Sequence, residues 1–129
     1  MNKSLKVYVA GPYSADTQEK KLDNSIKAIQ CALRLWKRGH FPYVPHLTHW
    51  VDKYRFDTIM NYEDWIAWSI PWLASSDAIL VLGRSRGVDA EIKIAETFGI
   101  PVYYDELSLP EGEPPSQYQE IVERGEPDD

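Results

Sequence analysis

The sequence predicts an α/β fold: a three-layer sandwich with helices on both faces of a parallel sheet of four or five strands, ordered 2-1-3-4 with any fifth strand outside. Three observations predict it. Short apolar, β-rich runs recur at residues 5–10, 41–45, 78–82 and 101–104. Longer stretches of helical periodicity alternate with them. Glycine, proline and small polar residues turn the chain between the two, and right-handed crossovers leave few other topologies.

The first strand, Leu5-Lys6-Val7-Tyr8-Val9-Ala10, is expected at the centre. It ends in Gly11-Pro12-Tyr13-Ser14, where Gly-Pro forces a turn and glycine lets a ligand approach the backbone closely. Polar residues 15–21 make a long connection of the kind that is often functional. A helix is expected from Asp23 or Asn24, either of which can cap it. Ile26, Ile29, Leu33 and Trp36 give its buried stripe, Cys31 is a small core residue inside it, and Gly39 ends it.

The prolines of the second strand place it toward a sheet edge. His46-Leu47-Thr48-His49-Trp50 follows; no third ligand stands at a recognisable spacing from its two histidines, so no metal is expected. His46 either lines a crevice at the strand's carboxyl end or is a surface-loop histidine. Residues 51–59 read as a loop or short helix. Residues 61–75 read as a helix carrying Trp65, Trp68 and Trp72 on one face, with Ser69 sharing it and Pro71 expected to kink or break it. The three indoles, each with an N–H to satisfy, are either core or the wall of a pocket for a planar base. Asp77 is expected to cap or turn the chain into the next strand.

The most informative stretch runs from Ser85 to Gly99. It follows the buried strand 78–82 and precedes the strand 101–104, so it is a strand-to-helix turn and helix of a βαβ unit. On a helical wheel Val88, Ile92, Ile94, Ala95 and Phe98 form an apolar arc, with Asp89, Lys93, Glu96 and Thr97 opposite. Glu91 falls inside the apolar arc. A carboxylate there is either desolvated at a cost of several kcal/mol or opens into a polar cavity. Its place near a helix start, at the carboxyl end of a strand, is where open α/β sheets bind ligands. Glu91 is therefore read as an active-site carboxylate; the alternative is a Glu favoured near a helix start by the macrodipole alone.

Composition narrows the function classes. The chain has 129 residues, 43% hydrophobic and 26% charged, which suits one domain. That domain is expected over residues 1–109, with 110–129 a linker, a short helix at 117–124 and an acidic tail belonging to it. There are no internal repeats. No apolar run approaches a membrane span, and from Met1-Asn2-Lys3-Ser4 no signal peptide is expected. A single cysteine excludes an intramolecular disulfide and fits a cytoplasmic protein. The net charge of −6, with no basic cluster beyond Lys20-Lys21, argues against duplex nucleic acid. A single nucleotide remains open, since amides and a few hydroxyls can hold one.

With these pieces in order the chain resembles the nucleoside 2-deoxyribosyltransferase family, which includes nucleoside 5′-monophosphate N-glycosidases and small uncharacterised relatives. The resemblance spans residues 5–104 and rests on Val7-Tyr8-Val9-Ala10-Gly11-Pro12-Tyr13-Ser14, Pro42-Tyr43-Val44-Pro45-His46, Ser76-Asp77-Ala78-Ile79-Leu80-Val81, and Ser85, Gly87, Glu91, Ala95 and Gly99-Ile100-Pro101-Val102 in their spacing. It implies a flavodoxin- or Rossmann-like fold and transfer or hydrolysis at the N-glycosidic bond of a nucleoside or nucleotide, with Glu91 as nucleophile and no cofactor. It further implies that Ser85 contacts a 5′-phosphate, helped by amides near Gly11 and Gly87. Tyr13 would sit by sugar or base, and Pro12, Ser14, His46 and Ser69 on the pocket. A homodimer or higher oligomer is implied as well. Two positions depart from the family pattern. Ser69 stands where the family has the aspartate that handles the leaving base's proton, with Asp64 the nearest acid in sequence, and Ser14 stands where the glycosidase branch has a phosphate-binding arginine. Those departures keep two alternatives open: a nucleotide-binding or sensing module without turnover, and a relative that cleaves NAD or ADP-ribose.

Overall fold

The computed structural model describes residues 3–124; the acidic tail expected at 125–129 lies outside the described residues. In chain order the elements are β1 (Lys6–Ala10), α1 (Gln18–Lys37), β2 (Phe41–Tyr43), α2 (Thr48–Tyr54), α3 (Tyr62–Ala74), β3 (Ala78–Val81), α4 (Arg86–Thr97), β4 (Val102–Tyr103) and α5 (Ser116–Arg124), with single 3-10 turns at Pro45–Leu47 and Glu106–Ser108. The four strands are all parallel in the order β2-β1-β3-β4, a Rossmann-like sheet flanked by helices. Tyr8 of β1 stands level with Tyr43 of β2 and Ile79 of β3.

Strand alternation divides the core into two layers. Val7, Val9, Ala78 and Leu80 face α1, where they meet Ala28, Cys31, Ala32 and Leu35. Tyr8, Ala10, Ile79 and Val81 face the other way, onto Leu73 of α3 and Val88, Ile92 and Ala95 of α4. Central strands buried on both faces explain why β1 and β3 read as nearly continuous apolar runs. Cys31 is fully buried, and burial pushes its thiol up to about 11.

Several details correct the sequence reading. The first helix begins at Gln18, because the Thr17 hydroxyl accepts from the Lys20 amide and caps it; the connection is shorter than residues 15–21 suggested. Its buried stripe is Ser25, Ala28, Cys31, Ala32 and Leu35, while Ile26, Leu33 and Trp36 are exposed. The expected stripe had the right spacing one residue out of phase. Small side chains let α1 approach the sheet closely, and the bulky ones stay outside, Trp36 packing edge-on against Phe41. Residues 48–54 are helical. Helix α3 continues through Pro71 to Ala74, started by an Asn61–Asp64 capping box. Phe98, placed on the apolar arc of α4, is 54% exposed.

Asp77 joins β1 to β3: its carboxylate accepts from the Lys6 amide at 2.8 Å, and its own amide donates to Lys6 O. Beyond β4 the chain is fastened back onto the domain. Leu109 is fully buried, Arg34 grips Glu106 through two nitrogens, and Gly112 donates to Arg38 O. Gly39 makes this closure possible. Its φ is +89°, and a Cβ there would lie 2.0 Å from Gly112 O. Gly39→Ala is therefore expected to cost at least about 2 kcal/mol, read as a lowered urea midpoint. A midpoint within error of the parent would show that the two segments separate freely. None of the described helices is long and apolar enough to cross a membrane.

Candidate active site

A cavity of about 460 Å³ opens at the carboxyl ends of β1 and β2, against α3 and the start of α4. It adjoins the switch point of the sheet: β1 leads into α1 on one face and β3 into α4 on the other, which opens a crevice between the two departing chains.

Helix α4 supplies its central group. Ser85 caps the helix by accepting from the Val88 amide at 3.1 Å. Val88, Ile92 and Ala95 then press into the core, and Glu91 goes in with them, only 9% exposed and on the cavity wall. One carboxylate oxygen, Oε2, accepts a hydrogen bond from the Tyr8 hydroxyl. No cation pairs with Glu91 among the described residues. Burial pushes its pKa from 4.5 up to about 7, and the Tyr8 hydrogen bond opposes that rise. Tyr8 in turn is raised by burial and then by the Glu91 charge, so it stays protonated and remains the donor. The result is a desolvated carboxylate held at Oε2, with no hydrogen bond to Oε1 among the described residues.

The remaining expected residues fall in distinct places. Gly11, Tyr13, Ser14, His46, Ser69, Ser85 and Gly87 all line the same cavity as Glu91. Pro12 does not: it borders a smaller hollow of about 180 Å³ behind Gly11, and its carbonyl accepts from His46 Nε2 at 3.1 Å. His46, 3% exposed, is no surface histidine; burial lowers its pKa and keeps it neutral, and Nδ1 is left without a partner. His49 turns to the Tyr13 hydroxyl, 3.0 Å from Nδ1, so the two histidines serve different contacts. Tyr13 is pushed up to about 12, by burial and then by the Asp52 charge. Gly11 runs so close to Leu82 that a Cβ would meet it at 3.3 Å, whereas a Cβ on Gly87 would meet only Ser85 Oγ, at 3.9 Å. Any need for glycine at 87 therefore comes from what occupies the cavity.

Ser69 lies beside the Tyr8 phenol, and its hydroxyl donates to Ile66 O at 2.8 Å. Asp64, the nearest acid in sequence, is locked in its capping box and is not on the cavity wall. Trp65 and Trp68 line the cavity, their rings 6.0 Å apart, while Trp72 lies outside and stacks on Tyr43.

Sequence reasoning missed Tyr8, Lys21, Asp52, Tyr62 and Arg86 on this wall. Tyr8 carried a usable signal: a tyrosine in a strand buried on both faces needs a partner for its hydroxyl. Asp52 and Lys21 pair at 3.7 Å across α2 and α1, and Arg86 lies 4.0 Å over the Tyr62 ring; neither pairing has a local sequence signature.

A family model described as a domain of unknown function (DUF7768) matches residues 5–105, which takes in the sheet and the whole cavity wall. None of the curated proteins matches the chain.

Proposed function

The chain belongs to the DUF7768 family, a domain of unknown function that brings no activity with it, and we propose that it is an enzyme that breaks or transfers the N-glycosidic bond of a nucleoside or nucleotide through Glu91. One observation carries the reading: a buried, unpaired carboxylate on a cavity wall, one oxygen held by Tyr8 and the other free. A group kept desolvated at a cost, in a cleft, is a functional-site candidate on physical grounds. The similarity to nucleoside 2-deoxyribosyltransferases supports the same assignment. Helix-start amides and the Ser85 hydroxyl, which still has its own proton to donate, suit an anionic group on the substrate.

The proposed chemistry uses this geometry. With Glu91 ionised, Oε1 attacks the anomeric carbon; the C–O bond forms as the C–N bond to the base breaks. Tyr8 keeps the carboxylate oriented and its second oxygen charged. Water, or a second base in a transferase, then attacks the same carbon and releases Glu91. The cavity suits a ligand of mononucleotide size. A homodimer, a location in the cytoplasm and a catalytic cycle without a cofactor belong to the same reading.

The test is direct incubation with a panel of nucleosides and 5′-monophosphates, following free base by chromatography. Base release is expected with at least one of them. The position of Ser69, its proton spent on Ile66 O, favours one second reading, a nucleotide-binding module without turnover. Thermal stabilisation by a nucleotide with no base released from any substrate would decide for that reading.

A further inference from the structure

Loss of a neutral base from a sugar leaves negative charge on the departing nitrogen unless an acid supplies a proton. The cavity is poorly equipped for that. The protons of Tyr8 and Ser69 are committed to Glu91 and Ile66 O. His46 is neutral, and its Nε2 proton goes to Pro12 O. Asp52, the other carboxylate on the wall, sits between Lys21 at 3.7 Å and Arg55 at 3.1 Å. Tyr13 and Tyr43 are phenols that burial raises further, weak acids at neutral pH.

The same wall offers a positive charge aromatic surface and the Glu91 carboxylate. Trp65 and Trp68 line the cavity together with Glu91, and both cations on the wall are engaged elsewhere, Lys21 with Asp52 at 3.7 Å and the Arg86 guanidinium over the Tyr62 ring. Aromatic faces attract cations, most strongly where water is excluded.

We propose that the substrates are N-glycosides whose base already carries a positive charge, with ribosyl pyridinium compounds as the type case. The inference rests on the N-glycosidic reading and narrows it. Such a base needs no acid. When Glu91 Oε1 bonds to the anomeric carbon, the electron pair of the breaking C–N bond returns to the ring nitrogen, cancels its charge, and the base leaves neutral. Water then displaces Glu91 from the sugar and loses one proton to solvent, so each turnover yields one base, one sugar and one proton. The aromatic wall holds the cationic ring until the bond breaks and holds the neutral product less tightly.

The full-length protein is assayed on nicotinamide riboside, nicotinamide mononucleotide and 7-methylguanosine, against inosine, deoxyuridine and their 5′-monophosphates. The expected result is a kcat/KM about 100-fold or more higher on the best cationic substrate than on any neutral one, the factor an absent general acid withholds. On nicotinamide riboside, whose ring charge is fixed at every pH, the profile should climb to a plateau and stay level to pH 9. Neutral substrates cleaved as fast as cationic ones, or a descending alkaline limb on nicotinamide riboside, would overturn this inference and leave the N-glycosidic reading standing. Release from neither group would overturn both.

Discussion

Glu91→Gln is expected to lower base release by about 10³-fold or more, the loss typical when a nucleophile is removed, and to make the protein more stable at alkaline pH. The two effects share a cause. The carboxylate's pKa is about 7 in the folded protein against an ordinary value of 4.5, so the folded state binds this proton more tightly than the unfolded chain does. Stability from this group is fully present below about pH 4.5, falls as pH rises, and reaches its lowest level above about pH 7. At about 1.4 kcal/mol per pK unit the cost comes to roughly 3 kcal/mol. Glutamine keeps the shape and still accepts from Tyr8, but has no charge to desolvate. Urea unfolding of both proteins from about pH 4 to pH 8.5 should show the variant gaining roughly 3 kcal/mol on the parent across that range. A constant difference would mean that Glu91 is solvated. Retained base release would remove it from the chemistry.

Tyr8→Phe is the second large effect. The phenol is the donor to Glu91, and its hydrogen bond opposes the rise in the carboxylate's pKa. Without it the carboxylate keeps its burial and loses its donor, at a cost of roughly 1–3 kcal/mol. A tenfold to hundredfold fall in kcat/KM is expected at pH 7. The acid limb expected in the parent's pH–rate profile, from deprotonation of Glu91 near pH 7, should move to higher pH. The upward move separates a role in holding the carboxylate from simple loss of packing, which would lower the rate and leave the limb in place. An unchanged limb would contradict the pairing.

The sheet order was legible because the buried strands β1 and β3 are apolar on both faces and alternate with long amphipathic helices. Glu91 was legible for a related reason: a carboxylate set among Val88, Ile92 and Ala95 breaks a clear pattern. The misses have physical causes. In α1 the spacing of bulky residues suggested the inner face, but a close helix–sheet approach reserves that face for Ala28, Cys31 and Ala32. Tyr8 reads as one more strand residue until Glu91, 83 positions later, is brought against it. Of three tryptophans at helical spacing, two reach the cavity and Trp72 is taken by Tyr43 from β2, a division that depends on tertiary packing. Helix α2 spans seven residues, too short for its own periodicity to declare it.

The most direct test of Glu91 as nucleophile is to quench the protein during turnover and digest it for mass spectrometry. A covalent intermediate predicts a peptide heavier by one sugar unit, with the label on Glu91. Continuing base release with the Glu91 peptide unmodified, and a sugar found on another residue or on none, would contradict it.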